Sequence, residues 1–191
     1  MNKKILWITE TAVMLALLIC LQWVGGMIPT PLTKQLITGT MVNCVLAVTV
    51  LLAGRSSGLT VALISPVFAY WFGIARVFTA VPLIMAGNVC YVLILSLFLQ
   101  RSFKPAWKQP VALGTAALAK FAVLYGLGVK LVGGVMFDTL NGKVFAGNPL
   151  MNQKVLKQLM NMFAWPQLVT AVTGGILALL MVPMLRKALR K

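Results

Sequence analysis

Residues 35–53 read QLITGTMVNCVLAVTVLLA, a stretch of nineteen residues without a single charged side chain. At about 1.5 Å per residue, a helix of this length covers about 28 Å, close to the thickness of the hydrocarbon core of a bilayer. Similar apolar runs recur along the chain, in which 60% of the 191 residues are hydrophobic and only 10% are charged. A soluble protein keeps about a quarter of its residues charged. The sequence therefore predicts an integral membrane protein.

The apolar runs predict an all-α architecture of six transmembrane helices in a single membrane domain, residues 1–191. The breaks between the runs contain Gly, Pro and basic residues, which mark turns and membrane boundaries. The first run contains Glu10 and is too long for a secretory signal, so we expect it to be retained as a span. The stretch 150–162 is amphipathic and is expected to lie at the interface or to extend span six outwards. The predicted spans are residues 5–24, 35–53, 59–74, 79–99, 110–132 and 163–184.

Positive charge sets the orientation of the predicted spans, because the cytoplasmic ends of membrane helices carry an excess of Lys and Arg. With the N-terminus inside, ten basic residues flank the inner ends of the spans and six flank the outer ends. This bias places both termini in the cytoplasm and the two longest loops, 25–34 and 133–152, outside. We expect the basic residues to contact membrane lipid and not nucleic acid. The inner ten are Lys3, Lys4, Arg55, Arg101, Lys104, Lys108, Arg186, Lys187, Arg190 and Lys191, and the outer six are Lys34, Arg76, Lys130, Lys143, Lys154 and Lys157.

What the composition lacks excludes several reaction classes. The chain has no His, which rules out a His-based catalytic triad and a His-ligated metal site. Its two acids, Glu10 and Asp138, are too distant in sequence to form a carboxylate cluster for Mg²⁺. No Gly-rich loop ends in Lys-Ser or Lys-Thr, so the chain does not hydrolyse ATP by itself. We expect a non-catalytic protein without cofactor or metal, in which Cys20, Cys44 and Cys90 pack inside the spans.

Lys120 is the strongest functional candidate, since a polar group in lipid is costly unless it has a partner. It lies ten residues into span five, about 15 Å deep by the helix rise. Two interpretations are equally supported. Lys120 contacts a ligand, or it forms a structural ion pair with Glu10 on the inner half of span one.

Polar residues also enter three other spans from the predicted outer side. Each alone is explained by a hydrogen bond between helices, but their shared depth predicts one outward-opening pocket. Tyr125 and Trp165 lie near outer ends and either belong to the aromatic belt or stack on a flat ligand. The polar candidates are Thr40 and Asn43 in span two, Asn88 and Tyr91 in span four, and Gln167 and Thr170 in span six.

Short motifs in every span add a family resemblance to this pattern. Span one has Ala12 and Ala16, a pair of small residues four apart that lets another helix approach closely. With the six spans and the missing ATPase motif, the motifs resemble the substrate-binding S component of energy-coupling factor (ECF) transporters. The matching pieces are TETAVMLAL at 9–17, ITGTMVN at 37–43, Ser65-Pro66, Gly87-Asn88, Ala119-Lys120-Phe121 and Trp165-Pro166-Gln167.

The resemblance implies a receptor for a vitamin or related micronutrient in a bacterial or archaeal cell membrane. It implies two further kinds of subunit, a membrane scaffold (T) subunit and two cytoplasmic ATPases, with Ala12 and Ala16 docking on the scaffold. It also implies that substrate is bound from outside, under the loops after spans one, three and five. Transport would follow when the loaded subunit topples in the membrane.

The charge of the outer half bears on the ligand, and two other functions stay open. Six basic residues against Asp138 alone favour a neutral or anionic ligand over a cation. A small stand-alone channel or secondary transporter would need a continuous polar path or a carboxylate at mid-depth. A purely structural membrane subunit is harder to dismiss, because the polar stripes are only a weak argument against it.

Overall fold

The computed structural model describes residues 3–99, 107–145 and 147–189, which form a bundle of helices. Helix α5 continues without a break into a π-helical stretch, the π segment, at Tyr125–Val135. Two short strands, β1 (Val144–Phe145) and β2 (Asn148–Pro149), form an antiparallel hairpin. The helices are α1 (Lys3–Gly26), α2 (Pro31–Ala53), α3 (Arg55–Trp71), α4 (Ala80–Leu99), α5 (Lys108–Leu124), α6 (Phe137–Leu140), α7 (Gln153–Phe163) and α8 (Trp165–Leu189).

Five of the described stretches are long and apolar enough to cross a membrane. They are α1, α2, α4, α5 with the π segment, and α7 with α8. Helix α3 has 17 residues, about 25 Å by the helix rise, and is not among them. A sixth crossing by α3 and the cytoplasmic position of the termini remain predictions. Residues 100–106 and 190–191, which hold part of the predicted inner positive charge, lie outside the described residues.

The turn between α2 and α3 is tighter than the sequence predicts. Gly54 alone separates the two helices and has a φ of 92°, a backbone conformation that favours glycine. Span three was predicted to begin at residue 59, but α3 begins at Arg55 and ends at Trp71. Because one glycine reverses the chain, the four residues after it are free to join the helix. Ser57 among them is buried, and its hydroxyl donates to the carbonyl of Ala53 at 3.2 Å.

The fifth helix does not end at residue 132, where the sequence predicts a loop, but continues to the end of the π segment. Two glycines of this segment face α7. A β-carbon on Gly128 would overlap the Phe163 ring, and one on Gly133 would lie 2.6 Å from Leu156 Cδ1. These glycines therefore act as contact surfaces for α7 and do not break the helix.

The amphipathic stretch predicted at 150–162 is confirmed as helix α7. The Asn152 side chain caps it by accepting a hydrogen bond from the Val155 amide at 2.8 Å. Val155, Leu159 and Phe163 are buried one turn apart, as expected for an amphipathic helix. They pack in a hydrophobic cluster with residues of α4 and α5, so α7 closes part of one end of the bundle.

Helix α2 is central, because it packs against α1, α3, α4 and, most extensively, α8. Small residues bring α2 and α8 close together. Gly39 faces the Thr170 side chain, and Gly174 faces the backbone of α2. Helix α8 begins at Trp165, two residues later than predicted, because the residue before it is extended.

Candidate functional site

A cavity opens at one end of the bundle. The C-terminal ends of α1, α3 and α5 and the N-terminal halves of α2, α4 and α8 form its wall, and α7 borders it. Its empty volume is about 1040 Å³, which includes open solvent at the mouth. Gln35 Nε2 donates to the Met162 carbonyl at 2.7 Å and so ties α2 to α7 beside the cavity. This is the end of the bundle that the charge bias predicts to face outside.

Lys120 lies on the wall of this cavity and is 3% exposed. Its Nζ donates to Asn43 Oδ1 at 2.6 Å and to Asn88 Oδ1 at 2.7 Å. The same Nζ lies 5.5 Å from the centroid of the Tyr91 ring, close enough for a cation–π contact. Two neutral amides and an aromatic ring therefore hold the ammonium, and no carboxylate in the described part of the chain pairs with it.

Lys120 fixes the orientation of both asparagine amides. A Lys ammonium only donates hydrogen bonds, so it must face the oxygen of each amide and leave each Nδ2 for other partners. Asn43 Nδ2 donates to the Gly39 carbonyl at 2.8 Å and to Thr170 Oγ1 at 3.4 Å. Asn88 Nδ2 is buried and has no partner within the described residues. The wall thus holds an unused amide donor beside an ammonium.

Four buried side-chain polar atoms have no hydrogen-bond partner in the described part of the chain. They are Gln22 Oε1, Thr38 Oγ1, Ser65 Oγ and Asn88 Nδ2. All four residues line this one cavity. Buried polar groups are nearly always hydrogen-bonded, and each one left unpaired costs about 1–3 kcal/mol. Thr38 Oγ1 packs against Gly25 of α1, so three of these atoms, those of Gln22, Ser65 and Asn88, remain for a molecule that enters the cavity.

The cavity is positively charged. Lys34, Arg76 and Lys120 line it, and neither of the chain's two acids does. Lys34 Nζ donates to the Gly26 carbonyl at 2.7 Å, and Arg76 is exposed in the connection between α3 and α4. Low-dielectric walls lined by charges of one sign focus the field inside a cleft. This field favours an anion and opposes a cation.

Six of the candidates chosen from the sequence come together at this site. Asn43, Asn88, Lys120 and Gln167 line the cavity. Two others lie directly behind the wall. Tyr91 is fully buried against Lys120 and donates its hydroxyl to the Ala171 carbonyl at 3.2 Å, and Thr170 contacts Asn43.

Three other candidates do not line the cavity. Thr40 Oγ1 lies 3.0 Å from Thr173 Oγ1 in an exposed contact between α2 and α8. Tyr125 is 37% exposed and stacks on Phe121, and Trp165 is 56% exposed. The side chains of Tyr125 and Trp165 thus have the exposure expected of the aromatic belt, the alternative that the sequence left open.

The predicted ion pair between Lys120 and Glu10 is wrong. The Lys120 ammonium is directed at Asn43 and Asn88, as described above. Glu10 instead lines a second cavity with Arg186, twelve residues along α1 from Gln22, or about 18 Å by the helix rise. The second cavity is therefore at the opposite end of the bundle.

The wall residues that sequence reasoning missed include the three others with an unpartnered atom, Gln22, Thr38 and Ser65. It counted how far polar residues lie from the outer ends of spans two, four, five and six. It did not make the same count from the outer ends of spans one and three. The available signals were Gln22 near the outer end of span one and Pro66 inside span three. A proline within a helix leaves the carbonyl four residues earlier without its usual partner, which marks irregular packing beside Ser65.

The proposed docking residues lie away from the cavity. Ala12 and Ala16 are both exposed on α1, beside the exposed side chains of Val13 and Leu17. In the most apolar 18-residue stretch of α1 only 17% is buried inside the bundle, against 33–56% in the corresponding stretches of the other four spanning segments. The outer surface of α1 is thus the least covered by the rest of the bundle.

Comparison with protein-family models, curated proteins and solved structures gave no match. The site is therefore defined by its own geometry. No group of three or more His, Cys, Asp or Glu that could hold a metal occurs among residues 3–99, 107–145 and 147–189. The groups on the wall are amides, hydroxyls and ammonium, which suit hydrogen bonding to a small organic molecule.

Proposed function

We propose that this chain is the substrate-binding subunit of an ECF-type ABC importer in a bacterial or archaeal cell membrane. It captures a vitamin or related micronutrient from outside and delivers it inward together with a T subunit and two cytoplasmic ATPases. The observation that carries the proposal is the cavity of about 1040 Å³ whose wall holds all four unpartnered buried side-chain atoms of the described residues. A ligand that completes the hydrogen bonds of Gln22, Ser65 and Asn88 is bound selectively, because an analogue without them leaves the same atoms unpaired.

The arrangement of the bundle favours a receptor over an open channel. On α2 the cavity residues end at Asn43, and the second cavity begins at Leu51. Between them lies one continuous buried stretch, residues 44–50, in which the only polar side chain is Thr49, already hydrogen-bonded within the helix. A channel needs a continuous polar path, and this stretch interrupts it.

Two separate surfaces of the molecule fit the two tasks of such a subunit. The cavity is at the end with the loops predicted to lie outside, so it receives ligand from that side. The exposed small residues Ala12 and Ala16 lie away from it, in the middle third of α1, where a scaffold helix can approach closely. Because the field in the cavity is positive, a neutral or anionic micronutrient is favoured.

The first experiment is to purify the chain in mild detergent from cells grown in rich medium and to identify bound small molecules by mass spectrometry. We expect one vitamin-like compound at a stoichiometry near one. The control is Asn43→Leu, because this change removes both the Lys120 contact and the hydrogen bond to Thr170 and should release the compound.

The outcomes separate the three functions. A stoichiometric compound that Asn43→Leu releases supports the receptor. No bound compound, followed by no binding from an added panel of vitamins, would contradict it. Ion or solute flux through liposomes that hold the chain alone would favour a channel or secondary transporter, and absence of both binding and flux would favour a structural subunit.

A further inference from the structure

We propose that the ligand is a singly charged organic acid. Its carboxylate binds Lys120 and Asn88, and a separate N–H or O–H group donates to Gln22. The inference rests on the proposed function and specifies the ligand class of the same cavity.

The anion subsite is already assembled. Of the three donors of the Lys120 ammonium, two are used by Asn43 Oδ1 and Asn88 Oδ1, at 2.6 and 2.7 Å. Asn88 Nδ2 is on the same amide that Lys120 contacts, and it has no partner within the described residues. A carboxylate that accepts from the remaining Lys120 donor and from Asn88 Nδ2 would neutralise the ammonium and satisfy the amide together.

The charge count argues for a single negative charge. Lys120 is the one buried cation of the cavity wall, since Lys34 is only partly buried and Arg76 is exposed. A phosphate dianion bound beside Lys120 would carry one charge more than the single buried ammonium there can pair, which is unfavourable. A carboxylate matches one ammonium. A cation would meet Lys120 with no acid among the lining residues.

The α1 side of the cavity favours a donor on the ligand. In the orientation of the Gln22 amide in the structure, Oε1 is buried without a partner, and an amide oxygen accepts hydrogen bonds from a donor. Gln22 belongs to α1, which packs against α2 and α3, whereas Asn88 and Lys120 belong to α4 and α5, which pack together. The anion subsite and the donor subsite are therefore formed by different helices, and one ligand must carry both groups at separate positions.

The test is affinity selection with mass spectrometry on the purified protein in detergent. The probe is an equimolar mixture of small carboxylic acids, their primary amides and the corresponding amines, each present with and without a second N–H or O–H donor. We expect acids with a second donor to be retained, and their amides and amines to pass through. Lys120→Met should weaken binding of a retained acid at least about 30-fold, the lower range for losing one partner of a buried charge pair.

Matched variants separate charge from folding. Asn88→Asp keeps the shape of the site and supplies Lys120 with a carboxylate, so it should remove acid binding while the protein stays folded. Lys130→Met is the control, because Lys130 also lies over a tyrosine ring, 5.9 Å from the Tyr125 centroid, but outside the cavity wall. It should leave the Kd unchanged within about twofold. Gln22→Leu should weaken acids that carry the second donor about tenfold and leave the others unchanged.

Each outcome decides the proposal. Retention of acids by the wild type and by Lys130→Met, with loss in Lys120→Met and Asn88→Asp, supports it. Retention of amides or amines in preference to acids overturns the ligand class and leaves the receptor function standing, as does acid binding that Lys120→Met does not change. A folded wild type that retains no probe overturns the ligand class, and the receptor function is overturned with it only if the same protein also binds nothing from the panel of vitamins.

Discussion

Thr38 and Thr49 show, at the scale of single residues, how the cavity wall differs from the core. Both are buried on α2, at 1% and 0% exposure. Thr49 Oγ1 donates to the Val45 carbonyl at 2.6 Å, whereas Thr38 Oγ1 has no partner among the described residues. The same residue type on the same helix is therefore satisfied in the core and unsatisfied at the cavity. A buried hydroxyl without a partner costs stability, so Thr38 destabilises the chain where Thr49 stabilises it.

This contrast predicts opposite signs for one substitution. Thr38→Val should raise the free energy of unfolding of the ligand-free protein by about 1 kcal/mol, because it removes an unpaired buried hydroxyl. Thr49→Val should lower it by about 1 kcal/mol, because it removes a formed hydrogen bond. Thermal or denaturant unfolding in detergent measures both. If the two variants lose stability equally, Thr38 has a partner in the ligand-free state and the contrast fails.

The depth of polar residues predicted part of the site from the sequence. Lys120, Asn43 and Asn88 were found because each lies many residues inside an apolar run, where a polar side chain needs a partner. Depth alone does not show which face of a helix looks into the bundle, so Thr40 was chosen and Thr38 was not. The sequence also did not decide the partner of Lys120, since a flexible Lys side chain that snorkels could reach Glu10. Only the packing of α2, α4 and α5 shows that the partners of Lys120 are the side-chain amides of Asn43 and Asn88.

At the scale of elements, α7 lines the cavity and packs on the π segment as one unit. Gly128 and Gly133 meet Phe163 and Leu156 without side chains of their own, and α7 supplies cavity-lining residues. π-helical turns are uncommon and often occur at functional sites. The position of α7 beside the mouth thus depends on small residues about two to four helical turns beyond Lys120.

Adding a side chain at one of these glycines should weaken the packing between the π segment and α7. Gly128→Ala places a methyl group against the Phe163 ring and should lower the free energy of unfolding by about 1–3 kcal/mol. It should also speed ligand dissociation, because α7 would be displaced from the mouth.

Gly126→Ala is the matched control on the same segment, since nothing lies within 4 Å of its β-carbon position. It should be neutral or stabilise by up to about 1 kcal/mol. Thermal unfolding and a ligand chase measure the two effects. Equal behaviour of the two variants would show that Gly128 does not hold α7 in place.

The existence of the long helices was predictable, and their ends were less so. Uncharged runs of sufficient length identify α2 or α4 without further information. The end of a helix depends on whether a glycine turns the chain or packs within the helix, and the sequence does not reveal which of the two occurs. Gly54 turns the chain within one residue, whereas Gly133, expected to begin a loop, lies inside a helical segment that packs on α7. Both glycines look alike as sequence signals.

At the scale of the whole molecule, two surfaces are separated along α1. The C-terminal end of α1 supplies Gln22 to the ligand cavity, and its middle third exposes Ala12 and Ala16, ten and six residues away. At about 1.5 Å per residue the distances are about 15 and 9 Å. Binding and scaffold contact are therefore separable by mutation, as a receptor that hands its ligand to a transport module requires.

The combined change Ala12→Leu and Ala16→Leu should abolish uptake and spare ligand binding. Both positions are exposed in the isolated chain, so bulky side chains fit there without strain on the bundle. They would hold a partner helix away, because close approach depends on small residues. Uptake in cells that supply the T subunit and the ATPases should fall more than tenfold. The Kd of the purified variant should stay within about twofold of the wild type.

Ala122→Leu is the control, because Ala122 is also small and exposed but lies on α5. It should leave both uptake and binding unchanged, since added apolar bulk toward lipid is tolerated where no partner packs. Loss of binding in the double variant would mean that α1 was distorted, and its docking role would then lack support. Normal uptake by the double variant would exclude Ala12 and Ala16 from the scaffold interface and move the search to the other exposed faces of the bundle.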